Sequence, residues 1–313
     1  MFFTCGQRGG HFFRLYNIYL EHCKIQNNLS FKTLKAYKSD LSQFREFMNN
    51  NDFLNKSNIE DYIAYLKSMS YKIKTIKRKI ASLKAFFSFL TYQEYIEFNP
   101  FYKIKVKIKE SFVLPKIIAI EDLNKLFNVI EENIEITNNS KYAYKELLRD
   151  RAILELLLAS GMRIGELCAL KRSNIMYSSN LIKIKGKGSK ERMIPIYHPR
   201  LINDLIMYEK AFDKELKCSE YFFISKRKNG ISCQSVAYMI KKYSRLAGIG
   251  INITPHMFRH TFATMLLEQD VDSRQIQLIL GHSSIYTTQI YTHISSKKKN
   301  DIMKYKNPLS KIC

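Results

Sequence analysis

The first hundred residues of the chain carry apolar side chains at helical spacing. Four stretches show this pattern, and the clearest is LSFKTLKAYKSDLSQFREFM, which begins at Leu29. Its apolar face consists of Leu34, Tyr37, Leu41, Phe44 and Phe47. Because helical residues three and four apart share a face, the pattern predicts a bundle of four helices between Phe12 and Phe101. Ser30 and Ser57 are the predicted N-caps of the second and third helices.

Strand and helix signals are mixed in the rest of the chain. The stretch LIKIKGKGSKERMIPI alternates apolar and basic residues on both sides of Gly186-Lys187-Gly188, which predicts a β-hairpin. Helical patterns cover IAIEDLNKLFNVIEEN, RDRAILELLLAS, and the segments 200–215 and 232–247. The polar stretch 135–146 is predicted to be a loop. The chain is therefore predicted to be mainly α with a small β-sheet.

A basic, extended segment separates these two parts. In KIKVKIKESFVLP, four lysines alternate with apolar residues, as in an extended linker that ends near Pro115. These lysines are Lys103, Lys105, Lys107 and Lys109. The predicted organisation is a helical domain over 1–102, a linker over 103–115, a mixed α+β domain over 116–296 and a basic tail over 297–313.

The formal net charge is +23, and both predicted domains contribute to it. Such an excess of Lys and Arg is expected to attract a polyanion, and nucleic acid is the first candidate. A Lys-rich composition also arises from an AT-rich genome, so charge alone leaves the partner open.

Cysteine usage and hydropathy indicate the compartment. The six cysteines lie far apart without a CxxC pair, which indicates reduced thiols in a cytosol. No apolar run approaches the ~18 residues of a membrane span, and the N-terminus lacks the apolar core of a signal peptide. The predicted location is the cytoplasm, with no membrane partner.

The strongest chemical signal lies between Thr254 and Tyr291. Thr254-Pro255 is typical of an N-cap followed by a first-turn proline, so a helix is predicted to begin there. His256 and Arg259 are three residues apart and share one face of that helix. Such a face suits a phosphodiester, because the guanidinium binds two oxygens, the imidazole donates a third bond and the helix N-terminus favours an anion.

A second helix is predicted from Asp272 to Leu280, ending at Gly281, a residue typical of a helix C-cap. His282 follows at once, and Tyr291 comes nine residues later. A tyrosine, whose free pKa is about 10, attacks phosphorus only if nearby cations stabilise the phenolate and the transition state. The clustered cations and the phenol therefore predict phosphoryl transfer.

Two other site types are excluded by spacing. His256 and His260 have the i, i+4 spacing of metal ligands, but Met257 replaces the glutamate of an HExxH motif and Arg259 would repel a cation. The sequence GKG around Lys187 lacks the GxxxxGK[ST] spacing of a phosphate-binding loop. Neither a metal site nor nucleotide binding is predicted.

Two further candidates come from the middle of the chain. Arg163 and Glu166 follow the helix-breaking Gly161, and their spacing lets the carboxylate hold the guanidinium with a charge-assisted hydrogen bond. A solvated surface ion pair is the alternative. Lys187 lies between two glycines at the hairpin tip, where it can approach a backbone closely, and Lys190 is its rival.

Together these motifs resemble the tyrosine recombinases, the integrase-type site-specific DNA recombinases. The motifs are SGMRIGEL around Arg163, HMFRH from His256, LGHSS around His282 and the tyrosine nine residues after that histidine. The stretches LSFKTLKAYKSDLSQF and RKIASLKAFFSFL resemble the family's N-terminal domain. The resemblance covers nearly the whole chain and implies a helical core-binding domain followed by a mixed α+β catalytic domain.

The resemblance also implies a mechanism. Tyr291 attacks one DNA strand and forms a 3′-phosphotyrosine, Lys187 acts as general acid on the leaving 5′-oxygen, and Glu166 supports the first catalytic arginine. The implied catalytic set is Arg163, Lys187, His256, Arg259, His282 and Tyr291. No cofactor is implied, because the covalent bond retains the phosphodiester energy. The implied partners are double-stranded DNA at a specific site and a homotetramer, formed alone or with a paralogous recombinase.

Further basic residues are candidates for contacts with backbone phosphates. A basic linker between two basic domains suggests a clamp that closes around DNA, and in the family the segment after the nucleophile docks on a neighbouring protomer. The candidate contacts are Lys72, Lys74, Lys77, Arg78, Lys79, Lys105 and Lys107.

Several alternatives stay open at this point. One is strand relaxation by a type IB topoisomerase-like monomer, and another is a non-cutting architectural DNA-binding protein, which the complete catalytic set disfavours. Among recombinases, a resolvase of chromosome or plasmid dimers and the integrase of a mobile element are both compatible with the sequence, although no extra N-terminal arm-binding domain is evident. Tyr286 is the competing nucleophile, but five residues along a helix it should face away from Tyr291.

Overall fold

The computed structural model describes residues 8–25, 29, 31–49, 51–106, 108, 116–137, 142–185, 191–281 and 302–311, with side chains from residue 12 to residue 310. The chain divides into two compact units, Met1–Val113 and Leu114–Cys313, and each has its own hydrophobic core. The architecture is mainly helical with one three-stranded antiparallel sheet, which confirms the predicted fold class. Within the described residues, no helix is long and apolar enough to cross a membrane.

The described residues of the first unit form a bundle of four helices. They are α1 (Arg8–Ile25), α2 (Phe31–Met48), α3 (Lys56–Ser68) and α4 (Ile73–Tyr92). Aromatic rings fill the core: Phe44 of α2 is fully buried and packs edge-on against Tyr62 of α3, with ring centroids 5.0 Å apart. The predicted cap at Ser57 is wrong, because α3 begins earlier and the Asn55 side chain accepts the Ser57 backbone N–H at 2.9 Å. Ser30 lies outside the described residues.

A buried carboxylate joins α2 to α4 and changes the assignment of a predicted DNA contact. Asp40 is fully buried, and its Oδ1 lies 3.2 Å from the Nζ of Lys79 while its Oδ2 accepts the Ser82 hydroxyl at 2.7 Å. Arg78 also donates to this carboxylate. Lys79 is itself buried, and a buried charge must be paired. Its ammonium therefore pairs with Asp40 inside the bundle and does not reach a phosphate, contrary to the prediction.

The start of the predicted linker packs on the first unit. After a 3₁₀ turn at Pro100–Lys103, Ile104 is buried, and Val106 packs against the same core. The lysine between them, Lys105, is exposed, so the alternation places apolar side chains inward and basic ones outward. Lys107 and the segment 109–115 lie outside the described residues.

The second unit is built around one buried helix. Its elements are α5 (Ile120–Ile136), α6 (Tyr142–Ser160), α7 (Ile164–Cys168), β1 (Ile175–Met176), β2 (Leu181–Lys185), β3 (Glu191–Pro195), α8 (Pro199–Ala211), α9 (Asp213–Leu216), α10 (Cys233–Leu246), α11 (Pro255–Leu267) and α12 (Ser273–Leu280). Residues 152–160 of α6 are all buried, in keeping with a segment that is apolar nearly all round. α5, α8 and α11 pack around it.

The predicted loop over 135–146 is wrong at both ends. α5 continues through Ile136, and α6 already begins at Tyr142. The polar composition of this stretch suggested a loop, but tertiary packing overrides it: the Tyr142 ring packs edge-on against Phe212, with centroids 6.0 Å apart.

The predicted hairpin is confirmed, with a short third strand that the sequence pattern did not reveal. β2 pairs antiparallel with β3, and Lys185 lies opposite Glu191 at the last described pair before the tip. β1 contributes only Ile175 and Met176, paired with Ile182 and Leu181. Two residues are too few to show an alternation, so pattern analysis could not find this strand.

The described part of the predicted tail packs on its own unit. Ile302, Met303 and Leu309 are buried in the core of the second unit. Asn307 is also buried; its side chain donates to the Ala159 carbonyl at 3.1 Å and accepts the Leu309 N–H at 3.0 Å. In this single chain, residues 302–311 therefore cover their own core, whereas the resemblance implied docking on a neighbour.

Candidate active site

Arg163 and Glu166 form the pair that their spacing predicted. Arg163 is the N-cap residue of α7, and Glu166 Oε2 accepts its backbone N–H at 2.8 Å. Glu166 Oε1 also accepts a hydrogen bond from Arg163 Nη1 at 3.0 Å. The Glu166 side chain is nearly buried, whereas the Arg163 side chain is 42% exposed. Arg163 is thus held at its inner edge and presents its remaining N–H groups outward.

Arg259 connects the ends of two helices, α6 and α12, each of which precedes a predicted site residue. The side chain is buried, its Nη1 donates to the Gly161 carbonyl and its Nη2 to the Leu280 carbonyl, both at 2.8 Å. Gly161 lies two residues before Arg163, and Leu280 lies two residues before His282. The two bonds use two of the five guanidinium N–H groups, which leaves three for an anion.

The residue that follows each of these helix ends must be glycine because of its backbone geometry. Gly161 has φ +59°, and a Cβ there would lie 2.5 Å from Cδ1 of Phe262 and 2.7 Å from Cδ2 of Leu280. Gly281 has φ +67° and caps α12, as its position predicted. A side chain at Gly161 would force α11 and α12 away from the start of α7.

Arg192 is a member of this cluster that sequence analysis missed. It lies on β3, and its Nη1 and Nη2 donate to Oε1 and Oε2 of Glu166, each at 2.8 Å. No local pattern pointed to it, because Arg192 and Glu166 are 26 residues apart in the chain. Its position directly after the hairpin tip was the one available signal.

The cluster is strongly electropositive. Burial alone would raise the pKa of Glu166, but hydrogen bonds from Arg192 and from the Arg163 backbone hold that pKa below its ordinary value. Burial, with the neighbouring charges of Arg163 and Arg192, lowers the pKa of Arg259 to about 10. Arg259 therefore stays charged at neutral pH. Three guanidiniums around one carboxylate leave a net positive charge, which suits a phosphodiester.

The remaining predicted site residues divide into two groups. His256 is exposed on the first turn of α11. This helix begins at Pro255 after Thr254, as predicted, although the Thr254 side chain makes no capping bond. The other predicted residues, and the rivals weighed against them, lie outside the described residues: Lys187, Lys190, His282, Tyr286 and Tyr291. Along the chain, Lys187 comes two residues after the end of β2, and His282 comes directly after Gly281.

The exposed side of α10 forms a second basic surface, which the helical pattern over 232–247 did not reveal. α10 buries Val236, Ile240 and Tyr243, and its opposite side is exposed. The exposed side carries Gln234, Tyr238, Lys241, Lys242 and Arg245. Cations interleaved with an aromatic and an amide are typical of a nucleic-acid surface. Among the described residues, no cluster of three or more His, Cys, Asp or Glu side chains could hold a metal ion.

Comparison with known proteins identifies the protein family. Residues 123–298 match the phage integrase family, and residues 17–94 match the phage integrase N-terminal SAM-like domain. The chain is 45% identical over 293 residues to a tyrosine recombinase of Agathobacter rectalis, covering 93% of this chain and 95% of the relative. The chain belongs to the phage integrase family. It is a tyrosine recombinase, an enzyme of site-specific DNA cleavage and rejoining.

Further relatives place this recombinase near the Xer group. It is 35% identical over 304 residues to tyrosine recombinase XerC of Thermodesulfovibrio yellowstonii, covering 94% of this chain and 96% of that one. A XerH recombinase in a post-cleavage complex with a palindromic difH substrate has a similar fold, with a TM-score of 0.68 at 22% identity, over 91% of this chain and 83% of that one. A λ integrase dimer bound to a core site matches with a TM-score of 0.61 at 20% identity, over 88% and 98%.

Proposed function

We propose that this recombinase cuts double-stranded DNA at a specific recombination site with Tyr291 as the nucleophile. The observation that carries the proposal is the pair of hydrogen bonds from buried Arg259 to the carbonyls of Gly161 and Leu280. Through these bonds, one guanidinium holds together the two helix ends that precede Arg163 and His282. Nine residues after His282, Tyr291 is close enough along the chain to return to the same cluster.

The chemistry follows from the charges of the cluster. The Tyr291 oxygen bonds to phosphorus as the bond to the 5′-oxygen breaks, and Lys187 supplies the proton that this oxygen takes up. Arg163, Arg259 and His282 neutralise the charge that grows on the non-bridging oxygens. His256 binds the phosphate and takes up the proton that the Tyr291 hydroxyl loses.

The reverse reaction completes strand exchange. A 5′-hydroxyl from a partner duplex attacks the 3′-phosphotyrosine, releases Tyr291 and restores a phosphodiester, so the number of such bonds is conserved. The energy of the phosphodiester is retained in the covalent intermediate, and the reaction therefore consumes no nucleotide.

The DNA surface extends beyond the catalytic cluster. In the second unit it includes the exposed side of α10. The first unit contributes its own contacts through its exposed basic residues, which are Lys72, Lys74, Lys77, Arg78 and Lys105. Lysines of this kind contact phosphates and contribute affinity, while the amide and the arginine on α10 can also contact base edges.

The assembly is expected to be a homotetramer on DNA, formed alone or with a paralogous recombinase. A λ integrase tetramer bound to a Holliday junction shares this fold, with a TM-score of 0.61 at 19% identity over 88% of this chain and 80% of that one. The sequence likeness to XerC proteins favours resolution of chromosome or plasmid dimers over integration of a mobile element. Mass measurement of the complex on a synthetic Holliday junction tests the stoichiometry.

The nucleophile is tested by trapping. On a nicked suicide duplex, the native chain should form a covalent adduct, whereas Tyr291→Phe should bind the duplex and form none, because only the attacking oxygen is removed. Tyr286→Phe is the matched control and should keep the adduct. An adduct that survives Tyr291→Phe and disappears in Tyr286→Phe would reverse the assignment.

Strand exchange is distinguished from simple relaxation by its product. Two duplexes with different end labels should give recombinant molecules that carry both labels. Relaxation of a supercoiled plasmid without any doubly labelled product would instead support a topoisomerase-like activity.

A further inference from the structure

Arg192 occupies both oxygens of the carboxylate that holds Arg163. Its two terminal nitrogens donate to Glu166 in a fork, with both bonds at 2.8 Å. The side chains of Arg192 and Glu166 are only 15% and 8% exposed. A charge-assisted fork of this kind, largely out of water, sets the orientation of a carboxylate far better than a single bond does.

This fork has an electrostatic consequence for Arg163. Glu166 carries one negative charge and contacts two guanidiniums, so its charge is shared between Arg192 and Arg163. Without Arg192, the side chain of Glu166 would hydrogen-bond to that of Arg163 alone. Its full negative charge would then offset the positive charge that Arg163 presents outward. Arg192 therefore both orients Glu166 and leaves Arg163 with net positive charge.

Arg192 also joins three segments that lead to predicted site residues. It is the second residue of β3, just after the tip that carries Lys187, and it bonds to the helix that starts after Arg163. Its side chain lies on Gly281 as well: a Cβ there would be 3.0 Å from the Arg192 Cδ and 3.2 Å from its Nε. The absence of a side chain at Gly281 makes room for this arginine.

We propose that Arg192 is a positioning residue for DNA cleavage, acting through Glu166 on Arg163. The inference rests on the proposed role of Arg163 in stabilising charge on the scissile phosphate. In this role Arg192 acts through the carboxylate and not on the reacting atoms: its Nη1 and Nη2 both donate to Glu166.

The test compares two substrates that differ in charge at phosphorus. One is a suicide duplex with an ordinary scissile phosphate, and the other carries a methylphosphonate there, in which a neutral methyl group replaces a non-bridging oxygen. The second substrate develops less negative charge in the transition state, so it depends less on Arg163. Single-turnover formation of the covalent adduct is measured at saturating protein for the native chain, Arg163→Ala and Arg192→Met.

The expected result is a parallel between the two variants. Arg163→Ala should lower the cleavage rate of the phosphate about 10²–10³-fold, and Arg192→Met should lower it about 10–100-fold. On the methylphosphonate, both defects should shrink by at least about tenfold. The affinity of Arg192→Met for uncleaved duplex should stay within about threefold of native, since Arg192 bonds to Glu166 and not to DNA.

Arg200→Met is the matched control for a merely structural effect. Arg200 is likewise an ion-paired arginine, bonded to Glu131 and Glu155, and its side chain is 26% exposed, but it bonds to none of the cluster residues. Its loss should lower the melting temperature and change the rates on both substrates by the same factor. Arg192→Lys is the second variant if Arg192→Met fails to fold. It keeps the charge with one donor group, and its smaller defect should likewise shrink on the methylphosphonate.

The possible outcomes separate the two proposals. If Arg163→Ala is relieved on the methylphosphonate and the Arg192 variants are equally defective on both substrates, the positioning role of Arg192 is wrong and the proposed function stands. If Arg163→Ala is not relieved, its charge-stabilising role is wrong, and the inference about Arg192 falls with it.

Discussion

Arg259 serves two purposes at the scale of a single residue. Its bonds to the Gly161 and Leu280 carbonyls are structural, while its three remaining N–H groups are available to a phosphate. Burial and the neighbouring arginines lower its pKa to about 10, which raises the cost of keeping it charged in the free protein. An incoming phosphate relieves that cost, so the cluster is preorganised for an anion.

The general acid can be identified by changing the leaving group. Lys187→Ala should lower cleavage of an ordinary duplex by roughly 10²–10⁴-fold, because the 5′-oxygen must then leave without a proton. A 5′-bridging phosphorothiolate leaves as a thiolate and needs no proton, so on this substrate the defect should nearly disappear. The measurement is single-turnover cleavage of both substrates.

Two controls accompany that experiment. Arg163→Ala should remain defective on the sulfur substrate, because its expected role is charge stabilisation. Lys190→Ala tests the rival lysine at the hairpin tip: relief of Lys190→Ala without relief of Lys187→Ala would show that Lys190 is the acid.

A buried acid in α6 predicts a dependence of stability on pH. Glu155 is fully buried, and burial together with the neighbouring Asp204 raises its pKa to about 8, although Arg200 opposes the shift. A folded-state pKa above the unfolded value means that the stabilisation is complete at pH values below about 4.5 and is lost as the pH rises towards 8. Glu155→Gln mimics the protonated form and should flatten this dependence.

The measurement is the free energy of unfolding by denaturant at pH 5.5 and pH 8.5. The difference in unfolding free energy between Glu155→Gln and the native chain should be at least about 1 kcal/mol more favourable to the variant at pH 8.5 than at pH 5.5. Glu131→Gln is the control, since Glu131 is the other, more exposed partner of Arg200. An unchanged pH dependence in Glu155→Gln would mean that Glu155 is ionised in the folded protein at neutral pH.

At the scale of elements, the site is defined by where helices end. α6 ends before Gly161, α7 begins after Arg163, and α12 ends before Gly281. Arg259 binds backbone carbonyls at two of these helix ends, those of Gly161 and Leu280, and the Arg192 side chain packs beside Gly281. The long buried helix α6 therefore acts as a rigid support that places the start of α7 beside the end of α12.

The break at Gly161 gives a test of this arrangement. Gly161→Ala should destabilise the fold by at least about 2 kcal/mol, because a Cβ at φ +59° is strained and would overlap Phe262 and Leu280. It should also slow cleavage, since the Gly161 carbonyl that Arg259 contacts would move. Thermal unfolding and single-turnover cleavage measure the two effects.

Gly165→Ala is the matched control for that change. Gly165 lies in α7, and a Cβ there would have no neighbour within 4 Å. Because alanine favours a helix over glycine by up to about 1 kcal/mol, this variant should be as stable as native or slightly more stable. Equal stability of the two variants would contradict the packing described for Gly161.

At the scale of the whole molecule, the charge of +23 is spread over many exposed side chains. Some cations are committed within the fold, as Lys79 is to Asp40 and Arg200 to Glu155. The exposed side of α10 keeps Lys241, Lys242 and Arg245 in solvent. Affinity for DNA should therefore fall steeply with salt, and α10 should account for part of that slope.

The contribution of α10 can be measured as a change in salt dependence. Replacing Lys241, Lys242 and Arg245 by Gln should reduce the slope of log affinity against log salt by about 0.9 for each phosphate that the variant no longer neutralises. The control replaces three exposed lysines of α8 and the following segment, Lys210, Lys214 and Lys217. Both variants lose the same charge, so equal slopes would show that α10 makes no specific contribution.

Local features of this protein followed from the linear pattern alone. Apolar spacing predicted the helices, Gly161 and Gly281 predicted two helix ends, and alternation around 186–190 predicted the hairpin. The three-residue spacing of Arg163 and Glu166 predicted their bond. All of these features depend on neighbours within a few residues, where backbone geometry fixes which side chains meet.

The long-range partners were decided only by the tertiary structure. Arg192 contacts Glu166 across 26 residues, Lys79 contacts Asp40 across 39, and Arg259 contacts Gly161 across 98. Ile302, Met303 and Leu309 are likewise buried by their own unit. Periodicity shows which face of an element is apolar, but not which of the 51 Lys and Arg side chains will reach a given carboxylate or carbonyl. That choice depends on how the helices pack, because a buried charge is stable only where packing brings its partner within hydrogen-bonding distance.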